Sequence, residues 1–361
     1  MSLIKVKGRG AENLGRRNIV INGAMQVVQR GTVSSLTGSS YGGPDRFRLG
    51  LSGAGTHRIL QSATVPSGSG FANSWRLDCT TADTSITSSN QLSAQYKFEG
   101  QDLQQLKKGT PSAEKLTLSF WVRSSVTGTY VVELSDKDNT RHIAKTYTIS
   151  QADTFEYKTL TFDGDTTGAL DSDNARSMQI TWWLAAGDVY TSGTLATSWA
   201  SDVAANRAAG LNVNLASSTD NNWYLTGVQL EIGETATPFE HRSFGDELFR
   251  CQRYLYRLEI DSAEVGFINL TGWNTNDAYG PILYPVEMRS APTLSYGASL
   301  IDFLLLSASS NPAPSNIYNN GSAKRMMELG FSSTGNIVAG RSYWARITDP
   351  TNGFIQWDAE L

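Results

Sequence analysis

The chain has 361 residues, a formal net charge of −4, 18 % charged residues, 10 % aromatics and 33 glycines. That length fits two domains better than one compact sandwich. A net-negative chain lacks the basic face that general nucleic-acid binding needs. Its longest apolar run, residues 300–306 (LIDFLLL), is interrupted by Asp302 and too short to cross a bilayer.

Residues 1–18 carry Lys5, Lys7, Arg9, Arg16 and Arg17 against Glu12 alone, five basic residues less one acidic giving +4. No periodic apolar pattern accompanies the charge, and no apolar core follows the MSLIKVKGRG start as a signal peptide would require. The segment reads as an attachment arm that orders on a partner surface, with a frayed terminus as the alternative. From Asn18 the pattern turns to strands, with apolar runs at 19–21 and 25–29, then a turn and a new strand start within 41–48. Residues 100–108 break the pattern, because Leu103 and Leu106 stand three apart and suit one helical turn.

Residues 116–122 (LTLSFWV) alternate Leu116, Leu118, Phe120 and Val122 with Thr117, Ser119 and Trp121, which predicts a strand with one buried face. Residues 129–134, 145–149, 157–162 and 178–184 repeat the theme between Gly and Asp turns. Many short strands at this spacing predict an antiparallel sandwich or jelly roll. Trp182 and Trp183 are adjacent in one such strand, so one of the rings must meet an interface, another subunit or a covering loop. Residues 191–211 read as a long polar loop, with a short helix near 200–209, of the sort that carries binding functions.

The spacing predicts a helix over 243–258, with Ser243 as its cap, Asp246 three residues on, and Leu248, Cys251, Leu255 and Leu258 on one stripe. That stripe would pack on a flanking domain or on a trimer axis. Strand periodicity returns at 265–270, 278–286, 293–296, 325–331, 343–347 and 353–357. The expected organisation is an arm at 1–18, a sandwich at 19–242, a linker helix at 243–258 and a smaller β domain at 259–361. Cys79 and Cys251 are too few for a disulfide framework and are expected as buried thiols, which suits a reducing compartment.

Two stretches carry a family resemblance. Residues 18–31 (NIVINGAMQVVQRG) and 223–253 (WYLTGVQLEIGETATPFEHRSFGDELFRCQR) stand at the two ends of the first β region. Together they resemble the lectin-like jelly-roll module of bacteriophage fibre and minor virion proteins. In that family an INGA/D-M-Q-V-x-Q-R-G opening and a GVQLE-x-G-x-x-ATPFEHRS closing bracket one β-sandwich, and an E-L-x-x-CQRY helix follows. Residues 284–294 (YPVEMRSAPTL) and 354–361 (FIQWDAEL) resemble the distal domains of phage fibres. Val28 departs from the pattern, standing where the family often has Trp.

The resemblance implies an all-β chain: an antiparallel jelly-roll β-sandwich, a linking helix and a second smaller β domain. It implies a virion part assembled in the host bacterial cytoplasm, most readily a homotrimeric tail fibre. Such a fibre would dock on tail or capsid proteins through its arm and attach to host surface polysaccharide, without nucleic acid or membrane insertion. The rivals are a structural part with no receptor (a capsid decoration, head fibre or tail adaptor) and a glycan depolymerase.

Catalytic signatures are missing from the sequence. His57, His142 and His241 lack metal-ligand spacing, no Gly-x-Ser-x-Gly elbow occurs, and no repeat of a β-helical depolymerase is visible. His241, inside the closing motif, reads as a structural hydrogen-bonding group. Residues 163–174 (DGDTTGALDSDN) partly imitate a calcium loop through Asp163 and Asp165, but Asn174 replaces the bidentate glutamate. An ordinary turn is the favoured reading and no cofactor is expected, a structural Ca²⁺ being the alternative. The loop 271–281 (TGWNTNDAYGP) sets Trp273 and Tyr279 beside Asn274 and Asp277. Rings that stack on sugar faces beside amide and carboxylate groups make these four the carbohydrate-binding candidates. Aromatics that merely anchor the turn are the alternative.

Overall fold

The computed structural model describes residues 17–259, 265–297, 303–306, 312–349 and 353–361. The fold is all-β, and the chain divides into two compact units, Met1–Glu247 with Leu361, and Leu248–Glu360.

In the first unit the strands are β1 (Val33–Tyr41), β2 (Phe47–Ser62), β3 (Ser74–Thr81), β4 (Gln91–Glu99), β5 (Leu116–Ser124) and β6 (Gly128–Asp136). They continue as β7 (Arg141–Ile149), β8 (Glu156–Phe162), β9 (Arg176–Ala186), β10 (Ala200–Ser201) and β11 (Asn222–Ile232). The pairing order is β10-β7-β6-β9-β4-β2-β3-β11-β5-β8, with β1 laid on β2. This ribbon folds over on itself. Phe120 of β5 meets Trp182 of β9 edge-on at 5.9 Å and Tyr147 of β7 at 5.3 Å, although several strands separate β5 from either in the pairing order. The result is a jelly-roll sandwich around the fully buried Phe47, Trp75, Phe120, Trp182 and Trp223, whose burial is the main driving force.

Strand β2 makes the corner between layers. Phe47–Ser52 pairs with β4, whereas Thr56–Ser62 pairs with β3. Gly53 and Gly55 stand between them at φ of 56° and 73°, conformations that side chains rarely adopt. At 100–108 the chain makes two short 3₁₀ turns that bury Leu103 and Leu106 as the spacing requires. The alternation at 116–122 is less one-sided than its pattern implies. Thr117 and Ser119 are buried as well, because the chain leaving β11 crosses this face and Thr117 donates to the Gly233 carbonyl at 2.8 Å.

Residues 17–32 form no strand, contrary to the pattern at 19–21 and 25–29. They clasp a β-bulge instead. The pairing of β11 with β5 shifts register between Thr226 and Gln229, and Gly227 there adopts φ 62°. The bulged Val228 donates to the Gly23 carbonyl at 2.9 Å and accepts from the Asn18 amide at 3.0 Å. Asn18 Oδ1 accepts from the amides of Val20 and Leu230, and Glu240 accepts from the Asn18 amide at 2.7 Å. Asn22 at φ 61° closes the turn, donating to the Val27 and Asp45 carbonyls while its own amide donates to Glu247 at 2.6 Å. Arg242 completes the clasp, donating to the Val20 carbonyl, to Glu247 and to the Asn18 carbonyl. Arg17 also belongs here and not to a free arm, since it donates to the Pro238 carbonyl at 2.6 Å. Lys5, Lys7, Arg9 and Arg16 lie outside the described residues.

Helix α1 (Asp188–Thr191) opens the insertion between β9 and β11, and α2 (Phe244–Gln252) carries the chain into the second unit. Ser243 caps α2 as expected, accepting from the Asp246 amide at 3.2 Å and donating to its carboxylate at 2.7 Å. The helix ends six residues earlier than the 243–258 spacing predicts. Leu255 and Leu258 belong to strand β12 (Leu255–Glu259), which pairs with β20 (Phe354–Asp358). The sequence 254–259 satisfies both periods, and the partner strand decides. Tyr256 lies opposite Trp357 and stacks on it at 5.3 Å.

The second unit holds β12, β13 (Val265–Gly272), β14 (Asp277–Leu283), β15 (Thr293–Tyr296), β16 (Phe303–Leu306), β17 (Asn316–Ser322), β18 (Met326–Ser332), β19 (Ser342–Ile347) and β20. They form two antiparallel sheets, β12-β20-β15 and β16-β19-β13-β14-β18-β17. Their core holds Met288, Phe331, Tyr343, Ile355 and Trp357, with the Trp357 indole donating to the Met327 thioether. Cys79 and Cys251 are buried thiols not joined by a disulfide.

A Cβ added at Gly23 would lie 2.1 Å from the Val228 carbonyl oxygen. Gly23→Ala is therefore expected to destabilise the sandwich by about 3 kcal/mol in denaturant unfolding, the upper range for overpacking. A cost below about 0.5 kcal/mol would show that the clasp yields freely.

Candidate functional site

The predicted carbohydrate loop is the hairpin between β13 and β14. Its polar residues are consumed in building it. Asn274 Oδ1 accepts from the amides of Asn276 (2.6 Å) and Asp277 (2.8 Å), and its side-chain amide donates to Asp277 at 3.0 Å. The other Asp277 oxygen accepts from the Ser332 hydroxyl at 2.6 Å and the Tyr318 hydroxyl at 3.2 Å. The Ser332 bond first, then the Asn274 bond, hold the Asp277 carboxyl below the ordinary carboxylate range. Tyr318 also donates to the Tyr279 hydroxyl at 3.0 Å.

What remains for a ligand is aromatic. Trp273 is 73 % exposed, and its ring centroid lies 6.5 Å from that of Tyr279 at an interplanar angle of 56°. The structure thus brings the four candidates together and divides their roles. Asn274 and Asp277 hold the turn, while Trp273 and the partly exposed Tyr279 present ring faces.

The calcium reading of 163–174 does not survive its surroundings. Asp165 is buried and accepts from Arg141 at 2.7 and 3.0 Å, with Lys108 Nζ at 3.0 Å. Burial works to raise its pKa, but the Arg141 and Lys108 bonds outweigh that and hold the carboxyl low. Two cations already neutralise the position a metal would need. Asp163 sits 3.5 Å from Lys115, and its carbonyl accepts from the Trp199 indole at 2.7 Å.

A second cluster, Glu133, His142 and Asp202, groups potential ligand atoms within 4.8 Å of one another. It too is committed to the protein. Glu133 is fully buried and accepts from both arms of Arg207 (2.9 and 3.1 Å), from His142 at 3.0 Å and from the Trp183 indole at 3.3 Å. Arg207 belongs to the insertion between β9 and β11, which answers the question posed by the paired tryptophans. Trp182 points into the main core, and Trp183 lies under this insertion against Tyr190 at 5.1 Å. The 191–211 segment is thus a lid locked to the sheet and not a free recognition loop.

Sequence reasoning missed an aromatic groove on the first unit. Trp121 on β5 and Tyr157 on β8 are cross-strand partners with ring centroids 5.2 Å apart. Beside them Phe71, Phe239 and His241 form a ring cluster with centroid distances of 4.9, 5.3 and 4.9 Å. The signal was the outward phase of Trp121 in its alternating strand; the other rings come from segments remote in sequence.

No protein-family model matches the chain, and no curated protein matches it. Solved structures do. A putative sugar-binding protein from Bacteroides thetaiotaomicron aligns over 60 % of this chain and 100 % of its own, at 11 % identity and TM-score 0.32. The family 11 carbohydrate-binding module of a Clostridium thermocellum cellulosomal cellulase aligns over 60 % of this chain and 97 % of its own, at 13 % identity and TM-score 0.27. The enzymatically active domain of tailspike protein 4 of bacteriophage CBA120 aligns over 60 % of this chain at 12 % identity and TM-score 0.31; the match spans 21 % of that chain.

The Glu133 network has a pH consequence. Burial drives its carboxyl pKa upward, but the His142 bond and the Arg207 charge together outweigh it and hold the pKa below the ordinary value. A carboxylate lowered in the folded state contributes stability above its unfolded pKa and loses it as pH falls through the folded one. The contribution should be complete above pH ~5 and fade below about 4. Arg207→Ala, which strands a buried charge, should cost about 3 kcal/mol at neutral pH. Urea unfolding between pH 3 and 7 measures both, and a variant as stable as its parent at pH 7 would show that apolar contacts alone hold the lid.

Proposed function

We propose that this protein is a phage virion part that attaches the particle to a host surface glycan, a binding protein and not a catalyst. The observation that carries the reading is Trp273. It is a large apolar ring held 73 % exposed on a hairpin whose Asn274 and Asp277 side chains are engaged in the turn. Exposure of so large an aromatic forgoes the gain of burial, and a rigid turn beneath it suits stacking on the apolar face of a sugar. The motif resemblance at both ends of the sandwich supports the virion assignment. The basic residues Lys5, Lys7, Arg9 and Arg16 supply the charge for docking on other virion proteins. Several subunits in one particle would multiply weak sugar contacts into avidity.

A second reading, a structural part with no receptor of its own, is favoured by one feature of the second unit. An open, largely apolar groove of about 720 Å³ runs past Tyr256, Phe267, Ile268 and Leu283 to Trp344. Leu283 is 70 % and Trp344 57 % exposed, the kind of surface that an intersubunit contact covers.

Binding of the full-length protein to intact bacterial cells and to their extracted polysaccharide separates the two. Trp273→Ala is expected to weaken saturable binding at least ten-fold with an unchanged melting temperature. Equal binding by the variant and its parent would remove Trp273 from the reading, and no binding by either would favour the structural part. Deleting residues 1–16, which spares the clasp residues Arg17 and Asn18, should leave a folded protein that no longer enters particles. Normal incorporation of that truncation, read by immunoblot of purified particles, would sink the anchoring role.

A further inference from the structure

The aromatic groove of the first unit has a composition that a packing role does not require. Its volume is about 360 Å³, at the small end of ligand sites. Trp121 and Tyr157 form one wall; Phe71, Phe239 and His241 form the other. Tyr157 is 46 % exposed, and the rest of this ring set stops short of full burial. The lining contains no carboxylate, lysine or arginine.

Two features shape the floor of the groove and give it polarity. Gly227 lies in its floor at φ 62°, and a Cβ there would come within 2.7 Å of the Phe71 ring and 3.2 Å of the Trp121 ring. The bulge that serves the clasp therefore also lets the Phe71 and Trp121 rings close over its main chain and form the floor of the groove. Ser119, one cross-strand position from the bulge, lines the groove and is only 2 % exposed. Its side chain supplies a hydroxyl to the lining. The exposed His241 imidazole adds a donor or acceptor at the rim.

We propose that this groove is a second carbohydrate site, which takes a pyranose ring of an uncharged glycan between the Trp121–Tyr157 wall and the His241 side. Flat apolar rings suit the carbon face of a sugar. The Ser119 hydroxyl and the His241 imidazole suit its equatorial hydroxyls. The absence of charged lining residues disfavours uronate, sulfate or phosphate groups, which would be desolvated there without a counter-charge. The site lies in a different unit from Trp273 and stands or falls separately from it.

The test uses the full-length chain on an array of uncharged and uronate-containing oligosaccharides, followed by calorimetric titration of the best ligand. The expected result is binding of uncharged oligosaccharides. Tyr157→Ala should weaken it on the order of ten-fold, Trp121→Leu similarly, and Trp273→Ala should leave a measurable site with unchanged affinity. Tyr157 is half exposed, so its variant keeps the test readable should the Trp121 change unfold the sandwich. Binding of uronate-containing glycans alone, binding unaffected by Tyr157→Ala, or no binding to any glycan on the array would each overturn the proposal. Loss of cell binding in Trp273→Ala with this site intact would bear on the hairpin alone.

Discussion

The β-bulge at Gly227 and Val228 is the constraint on which the first unit turns. A strand paired on both edges has no main-chain groups left for a third partner. By skipping register between Thr226 and Gln229, β11 frees the amide and carbonyl of Val228, and the opening segment takes both through Gly23 and Asn18. The two sequence brackets, some two hundred residues apart, are thereby one structural device. Several of their polar residues are partners across it. Asn18 answers Leu230 and Glu240, Asn22 answers Glu247, and Arg242 answers Val20 and Asn18. Removing one member of a buried network of this kind leaves its partner's polar group unpaired, at a cost larger than the bond itself.

A second buried network acts on the opposite half of the sandwich. Glu133 is placed on the outer face of β6, where it would be a severe liability without compensation. Arg207 descends from the lid and His142 approaches from β7, so that the charge is paired and every oxygen is occupied. The pair adds little net stability over an apolar equivalent, but it ties the lid to β6 through both Arg207 bonds. Trp183 then serves as the apolar platform beneath it, with the Arg207 guanidinium 5.3 Å from its ring centroid.

These two devices leave the protein with a divided surface. Polar side chains that looked available for recognition (Asn274, Asp277, Asp165, Glu133) are engaged internally, and the groups left outward are rings: Trp273 and Trp344 in one unit, Trp121 and Tyr157 in the other. A surface that offers ring faces and few charges suits the neutral, repetitive ligands of the proposed function.

Much of the fold was legible before any coordinates. The strands around 116–122, 129–134, 145–149, 157–162 and 178–184 show period two, and local pattern suffices where one face must be buried. The cap at Ser243 and the inward turn of Leu103 and Leu106 were equally local. The misreadings share a cause. Residues 19–29 are apolar enough for a strand, but their main chain is taken up by the Val228 bulge and the Asn22 turn. Residues 255–259 satisfy a helical stripe and a strand alternation at once, and Phe354–Asp358, about a hundred residues away, selects the strand. At Asp163 and Asp165 the ordinary turn favoured over a metal loop needs no revision, since Asp165 pairs with Arg141 of β7 and with Lys108. The sequence by itself determined most element types, the apolar faces of the strands and the two bracketing motifs, because these depend on neighbours within one or two turns of chain. Only the tertiary structure decided which polar groups are consumed, which tryptophan is covered and where rings from remote segments converge on a groove, because those outcomes depend on contacts that no local spacing encodes.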